Sequence, residues 1–185
     1  LGKINQAIDL PDAMKSIEQW LAEKETSARH LTEKFLTAKT TAGLVLNLVM
    51  IAVLPAIGEE FVFRGVLQKI LHQWTRNAHW AIFITAFAFS AMHVQFYGLL
   101  PRFFLGILFG YLLIWSGSIW IPVLAHFVNN ATAVVYYYFM QNKMDVSPDR
   151  FNEYDMPMTI VVFSLLGIVM FSYMTWLNEK RLRHK

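Results

Sequence analysis

Two adjacent glutamates and an arginine stand inside an apolar stretch of the chain. Glu59 and Glu60 follow Ala56-Ile57-Gly58, and Arg64 comes four residues after Glu60. Ionisable side chains at bilayer depth are costly, and they usually face a bundle interior or a water-filled cavity where they serve chemistry or transport. On a helix, the spacing places Glu60 and Arg64 on one face. The pattern indicates a carboxylate pair that a cation holds in place.

Polar side chains also interrupt two later apolar segments. His93 ends the run Phe89-Ser90-Ala91-Met92-His93, and His126 precedes Asn130 by four residues. At a rise of about 1.5 Å per residue, Glu60, His93 and Asn130 lie about 18–21 Å, and His126 about 12 Å, from span ends on the same side of the membrane. Such compatible depths predict one site built from three helices.

This set of side chains could activate water for hydrolysis. A glutamate and a histidine can act together as general base for a water molecule. An asparagine amide and an imidazole can donate hydrogen bonds to a developing oxyanion. Candidate catalytic residues and a supporting arginine are therefore Glu59, Glu60, His93, His126, Asn130 and Arg64.

Other kinds of site have weaker support. The chain has no cysteine, which excludes thiol catalysis and thiolate zinc sites. Ser90 lacks the Gly-x-Ser-x-Gly elbow of a serine nucleophile. A divalent metal such as zinc, held by Glu60, His93 and His126, stays an alternative to a metal-free site, although H-E-x-x-H is absent. A purely structural role for these residues is a further alternative. An intramembrane histidine or asparagine often forms only a hydrogen bond between helices, and Glu60 with Arg64 could be a structural ion pair.

The elements that position these residues are predicted to be transmembrane helices. The sequence is 56% hydrophobic and 16% charged, and its apolar residues are concentrated after residue 40. Segments near 20 residues match the hydrocarbon core, and period-two alternation is absent. We predict an all-α chain that forms a single domain, with a polytopic transmembrane catalytic bundle over 41–185. Its spans, about five, are expected at 41–73, 79–96, 98–115, 119–140 and 157–177.

Residues 1–40 differ from the rest in carrying many charges. Their apolar side chains are spaced in a helical pattern, which predicts an amphipathic surface helix or linker. The basic tail 179–185 predicts a cytoplasmic C terminus, with the acidic loop 141–156 outside, although Arg102 counts against this orientation. Because the chain opens with Leu1, helices preceding this segment could be missing. A net charge of +3 without a basic groove does not favour nucleic-acid binding.

The three motifs together resemble a known family. E-E-x-x-x-R at 59–64, F-x-x-x-H at 89–93 and H-x-x-x-N at 126–130 are similar, in this order, to the motifs of CPBP intramembrane proteases. That family includes CAAX prenyl endopeptidases and bacterial members linked to bacteriocins. The resemblance implies a conical cavity in which Glu59 and Glu60 include the water-activating carboxylate and His93 assists it. It also implies that His126 and Asn130 stabilise the oxyanion or orient substrate. The family is named for metalloproteases, yet a glutamate-driven, metal-free mechanism is also argued for it.

The function expected from the residues and the resemblance is intramembrane endopeptidase activity. The substrate would be a membrane-embedded, lipidated or prenylated peptide or protein, and the bilayer itself would be a partner. A bacterial inner (plasma) membrane is the expected location. The alternatives are a non-catalytic membrane partner or immunity factor with the same fold, and a proton-coupled transporter, against which the lack of internal repeats counts.

Overall fold

The described part of the protein is helical. The computed structural model describes residues 15–36, 39–95 and 98–144, and contains no strand in those ranges. Its helices, in chain order, are α1 (Lys15–Leu36), α2 (Thr41–Thr75), α3 (Ala78–Met92), α4 (Leu99–Ser116) and α5 (Trp120–Met144). The predicted all-α fold class is confirmed.

Two of these helices are long and apolar enough to cross a membrane, judged by length and composition. They are α2, with 35 residues, and α4, with 18. Helix α3 is apolar but has only 15 residues. Helix α5 coincides with the predicted span 119–140, whereas the predicted span 157–177 and the basic tail lie outside the described residues. The single domain, the orientation and the full number of spans remain predictions.

The third helix is shorter than the sequence predicts. It ends at Met92 instead of reaching residue 96, and His93 caps it with an αR backbone. Val94 then takes a φ of 50°, a left-handed conformation that stops the helix. His93 therefore lies at the end of α3, beside the turn that leads to α4.

Helix α2 contains two π-helical stretches, Leu48–Val53 and Phe61–Leu67. In each stretch the backbone bonds reach five residues back, as in the bond from Leu54 N–H to the Val49 carbonyl. Such stretches are rare and recur at functional sites. The second stretch begins directly after Glu60 and contains Arg64, so π-helical backbone lies between these two residues.

Helices α3 and α4 pack closely through small residues. A Cβ atom on Gly106 would lie 3.0 Å from the Cα of Ala86, and one on Gly110 would lie 2.9 Å from Ile82 Cγ2. Small residues spaced by four let helix backbones approach in membranes. Helix α4 consequently brings its backbone carbonyls within reach of the polar face of α2.

The predicted amphipathic helix is present as α1. Its apolar side chains Ile17, Trp20, Leu31 and Phe35 are about half exposed, and Leu36 is buried. The end of α1 is tied to α2 because Asn47 Nδ2 donates to the Phe35 carbonyl at 2.8 Å. An uncovered apolar face suits contact with a membrane surface, although that placement remains a prediction.

Candidate active site

A fully buried ion pair forms the floor of the site. Glu60 and Arg64 are both 0% exposed, and Arg64 Nη1 donates to Glu60 Oε1 at 3.0 Å. Arg64 Nη2 donates to the Gly106 carbonyl of α4 at 3.1 Å. A buried charge is tolerated only when it is paired and hydrogen-bonded, and both helices supply these partners. The cation is thereby held in one position.

Two phenylalanines enclose the guanidinium of Arg64. Its Cζ lies 4.6 Å from the ring centroid of Phe89 on α3 and 5.4 Å from that of Phe109 on α4. Rings at such distances attract a cation through their negative faces. The ring of Phe109 also stacks on His126, with centroids 5.2 Å apart and an interplanar angle of 21°. The same aromatic walls therefore position the arginine and one histidine.

His126 connects the two glutamates. Its Nδ1 lies 2.9 Å from Glu60 Oε1, and its Nε2 lies 3.9 Å from Glu59 Oε2. A carboxylate oxygen only accepts hydrogen bonds, so the contact with Glu60 places a hydrogen on Nδ1. The imidazole is oriented by Glu60 and directs its other nitrogen to Glu59.

His93 approaches the same oxygen from α3. Its Nε2 lies 3.9 Å from Glu59 Oε2, while its Nδ1 lies 2.9 Å from the Phe89 carbonyl. The carbonyl can only accept, so Nδ1 carries a hydrogen, and the neutral ring therefore has its lone pair on Nε2. The Phe89 backbone thus fixes the tautomer that makes His93 an acceptor toward Glu59.

The distances around Glu59 suit a bridging water molecule. Glu59 Oε2 is buried and has no hydrogen-bond partner among residues 15–36, 39–95 and 98–144. A separation of 3.9 Å is too long for a direct hydrogen bond, yet one water oxygen could bond both atoms at about 2.8 Å. The side chains of Glu59 and His93 are 25% and 27% exposed, so this pocket opens outward, unlike the Glu60–Arg64 floor.

Asn130 has a different environment from the other candidates. Its Nδ2 donates to the Ile51 carbonyl of α2 at 3.1 Å. In an α-helix that carbonyl would accept from residue 55, but Pro55 has no N–H. Asn130 therefore satisfies a backbone oxygen in the first π-helical stretch and joins α5 to α2, one turn along α5 from His126.

The structure thus brings together five of the six residues singled out from the sequence: Glu59, Glu60, Arg64, His93 and His126. Sequence reasoning missed the groups that surround them. Gln68, one turn after Arg64, donates to the Gly110 carbonyl at 3.3 Å. Phe109 and the two glycines lie within Gly106-Ile107-Leu108-Phe109-Gly110, a G-x-x-x-G pattern that is a recognisable signal for helix packing.

The metal set predicted from the sequence is not assembled in the described part of the chain. Glu60 Oε1 is occupied by Arg64 and by His126 Nδ1, so it does not converge with His93 on one point. Within the described ranges, no three histidine, aspartate or glutamate side chains are arranged as a metal site. These residues do not fit the expected group, and we derive no step through a metal.

Comparisons with known proteins point to one family. Residues 41–132 match the family model described as Type II CAAX prenyl endopeptidase Rce1-like. This range includes Glu59, Glu60, Arg64, His93 and His126, which the geometry also groups.

One curated relative matches over a limited length. It is the "Uncharacterized protein YpbD" of Bacillus subtilis (strain 168), which is 28% identical over 89 residues. The match covers 46% of this chain and 42% of that protein. No solved structure matches.

Proposed function

Because the chain belongs, through residues 41–132, to the Rce1-like family of type II CAAX prenyl endopeptidases, we propose that it is an intramembrane endopeptidase. In this proposal it hydrolyses a peptide bond of a membrane-associated or prenylated-type substrate with a water that glutamate and histidine activate. A multi-pass location in a bacterial plasma membrane, with the C terminus in the cytoplasm, is part of the proposal. The apolar helices α2 and α4 support it, as does a bacterial relative.

One observation carries the catalytic assignment. Glu59 Oε2 lies 3.9 Å from Nε2 of both His93 and His126, at a spacing that admits a water. Glu60, in contrast, is fully buried and bonded to Arg64 and His126. We therefore assign the general base to Glu59 and a positioning role to Glu60.

The reaction begins with a water bonded to Glu59 Oε2 and His93 Nε2. Glu59 takes one proton as the water oxygen attacks the scissile carbonyl carbon, and the carbonyl oxygen becomes an oxyanion. His93 orients the attacking oxygen by accepting its other hydrogen. The proton on Glu59 then passes to the amide nitrogen, the C–N bond breaks, and a carboxylic acid and an amine leave.

The oxyanion is assigned to His126 and Asn130. When both ring nitrogens of His126 carry hydrogens, Nδ1 donates to Glu60 and Nε2 is available to the oxyanion. Two carboxylates, Arg64 and this imidazolium would then form a cluster without net charge, which limits the cost of burying it. Asn130 uses one amide hydrogen on Ile51, and we assign its second hydrogen to the substrate.

The proposal is tested with purified protein reconstituted in liposomes and a farnesylated peptide that ends in a C-a-a-X sequence. We expect wild-type protein to release the C-terminal fragment and Glu59→Gln to lower the rate about 10²- to 10⁴-fold. Lys69→Gln, a change at an exposed residue of α2, is the matched control and should keep the rate.

Full cleavage by Glu59→Gln would contradict the proposal. If that variant also restored the phenotype of a deletion strain, the chain would act as a non-catalytic membrane partner or immunity factor. A proton flux that depends on Glu59, without cleavage of the peptide, would instead support the transporter alternative.

A further inference from the structure

Arg102 is a second cation near the candidate active site. It lies in the first turn of α4, where the positive end of the helix dipole disfavours a cation. The three motifs do not include it, and Arg64 already neutralises Glu60. Neither helix stability nor the ion pair on the floor of the site requires an arginine at this position.

The guanidinium of Arg102 is held beside the turn that carries His93. Its Nη2 donates to Gln95 Oε1, two residues after His93. It also folds back over Gly98, where a Cβ atom would lie 2.7 Å from Arg102 Cζ. The absence of a side chain at residue 98 thus makes room for the guanidinium in this position.

One nitrogen of this guanidinium makes no hydrogen bond to the described residues. Arg102 Nη1 is buried and has no hydrogen-bond partner within the described ranges. Glu25 of α1 and Glu59, the proposed general base, are carboxylates that act electrostatically on Arg102. Gln95, which accepts from the guanidinium, lies two residues after His93, so an anion that binds Arg102 would lie near the end of α3 that carries His93.

We propose that Arg102 and Gln95 form a subsite for the C-terminal carboxylate of the peptide substrate. This inference rests on the proposed function, because it places the carboxylate on the leaving side of the scissile bond. Arginine binds a carboxylate through two parallel N–H donors, and Nη1 is available for one of them. Gln95 gives its oxygen to Arg102, so its NH₂ group is a further donor of the kind that a carboxylate accepts.

A phosphate of an anionic lipid would satisfy the same donors. The position beside the turn that carries His93 favours the peptide, because a group bound there aligns the substrate with the attacking water. Subsites of this kind make a protease specific for bonds near a free C terminus. Binding of an anionic lipid by Arg102 and Gln95, in place of the peptide carboxylate, is the competing outcome of the experiment.

The test compares two farnesylated peptides of one sequence, ending in a free carboxylate or in a carboxamide, in phosphatidylcholine liposomes. For wild-type protein, we expect amidation to raise KM about ten- to hundredfold, since a charged hydrogen bond is lost. Arg102→Gln should raise KM for the carboxylate peptide by a similar factor and leave that of the carboxamide peptide unchanged. The KM of Arg102→Lys for the carboxylate peptide should lie between the values for wild type and Arg102→Gln. Lys69→Gln should distinguish the two peptides as wild type does.

Equal KM values for the two peptides with wild-type protein would overturn the subsite. So would an Arg102→Gln variant that impairs both peptides equally, or an effect of Arg102 that requires phosphatidylglycerol in the liposomes. Failure of wild-type protein to cleave either peptide would refute the proposed function instead. Binding of the fluorescently labelled peptides to the Glu59→Gln protein tests the subsite separately, with the carboxylate form expected to bind at least about tenfold tighter.

Discussion

His126 Nδ1 lies 2.9 Å from Glu60 Oε1 although 66 residues separate the two in sequence, and Arg64 donates to the same oxygen at 3.0 Å. Glu60 Oε1 therefore links Arg64 on α2 to His126 on α5. The position of His126, and through it the surroundings of Glu59, depends on a carboxylate that is itself fully buried. Glu59 and Glu60 are neighbours in sequence with different tasks.

Glu60→Gln should therefore destabilise the protein more than Glu59→Gln does. The change leaves Arg64 buried without a counter-charge, which we expect to cost about 3–5 kcal/mol. Thermal unfolding in detergent, followed by circular dichroism, would show the lower midpoint. Glu60→Leu/Arg64→Met should recover much of the stability and none of the activity, because it removes both charges. Equal midpoints for the two single glutamine variants would contradict this assignment.

Gly106→Ala should separate α3 from α4 and reduce both stability and activity. The new methyl group would meet the Ala86 backbone at 3.0 Å, so a helix has to shift, and overpacking of this kind costs about 1–3 kcal/mol. Gly58→Ala is the matched control, since its Cβ would meet nothing within 4 Å. That variant should gain up to about 1 kcal/mol from helix propensity. Identical unfolding midpoints for the two alanine variants would count against the close helix contact.

Asn130→Leu should remove the hydrogen bond that the Asn130 amide donates to the Ile51 carbonyl and cost about 1–3 kcal/mol. Asn130 supplies a donor that Pro55 cannot, because proline has no N–H. Pro55→Ala restores an N–H at residue 55 and should stabilise the Asn130→Leu protein more than the wild type. A double-mutant cycle on unfolding free energies measures this coupling. Additive effects would show that the link between α5 and α2 is energetically unimportant.

Prolonged chelation should leave peptide cleavage unchanged. The reason is geometric, since Glu60 is bonded to Arg64 and His126, and no three histidine, aspartate or glutamate side chains among the described residues are arranged as a metal site. The measurement combines elemental analysis of the purified protein with rates before and after dialysis against a chelator. Loss of activity that only zinc restores would contradict a purely glutamate- and histidine-based mechanism.

The sequence predicted the helices better than their ends. Apolar segments are long and distinct, so α2, α4 and α5 begin near the expected residues. The end of α3 at Met92 depends on a left-handed turn at Val94, a valine whose type does not signal such a turn. Helix boundaries of this kind are decided by local backbone geometry and tertiary contacts.

The site's members were largely visible in the sequence because charged and polar residues are rare inside apolar helices. Which of these residues contact each other was not visible in the sequence, because those contacts depend on distances between helices. Nothing in the pattern E-E-x-x-x-R tells which glutamate faces Arg64 and His126 and which faces the opening. The bond between Asn130 and Ile51 was equally hidden. It joins two residues that are 79 apart in sequence, next to Pro55, which has no N–H to offer the Ile51 carbonyl.

The π-helical stretch Phe61–Leu67 ties the length of α2 to its function. Such a stretch holds about one residue more than the α-helix that would replace it, so deleting one residue from it should be tolerated by the fold as a regular α-helix. Because the wide π-helical turn accommodates that extra residue, the parts of α2 before and after the stretch would keep their relative orientation after the deletion. Glu60 would still be directed to His126, and Gln68 to Gly110. The π-helical stretch therefore lets α2 hold one more residue without turning its polar side chains away from the neighbouring helices.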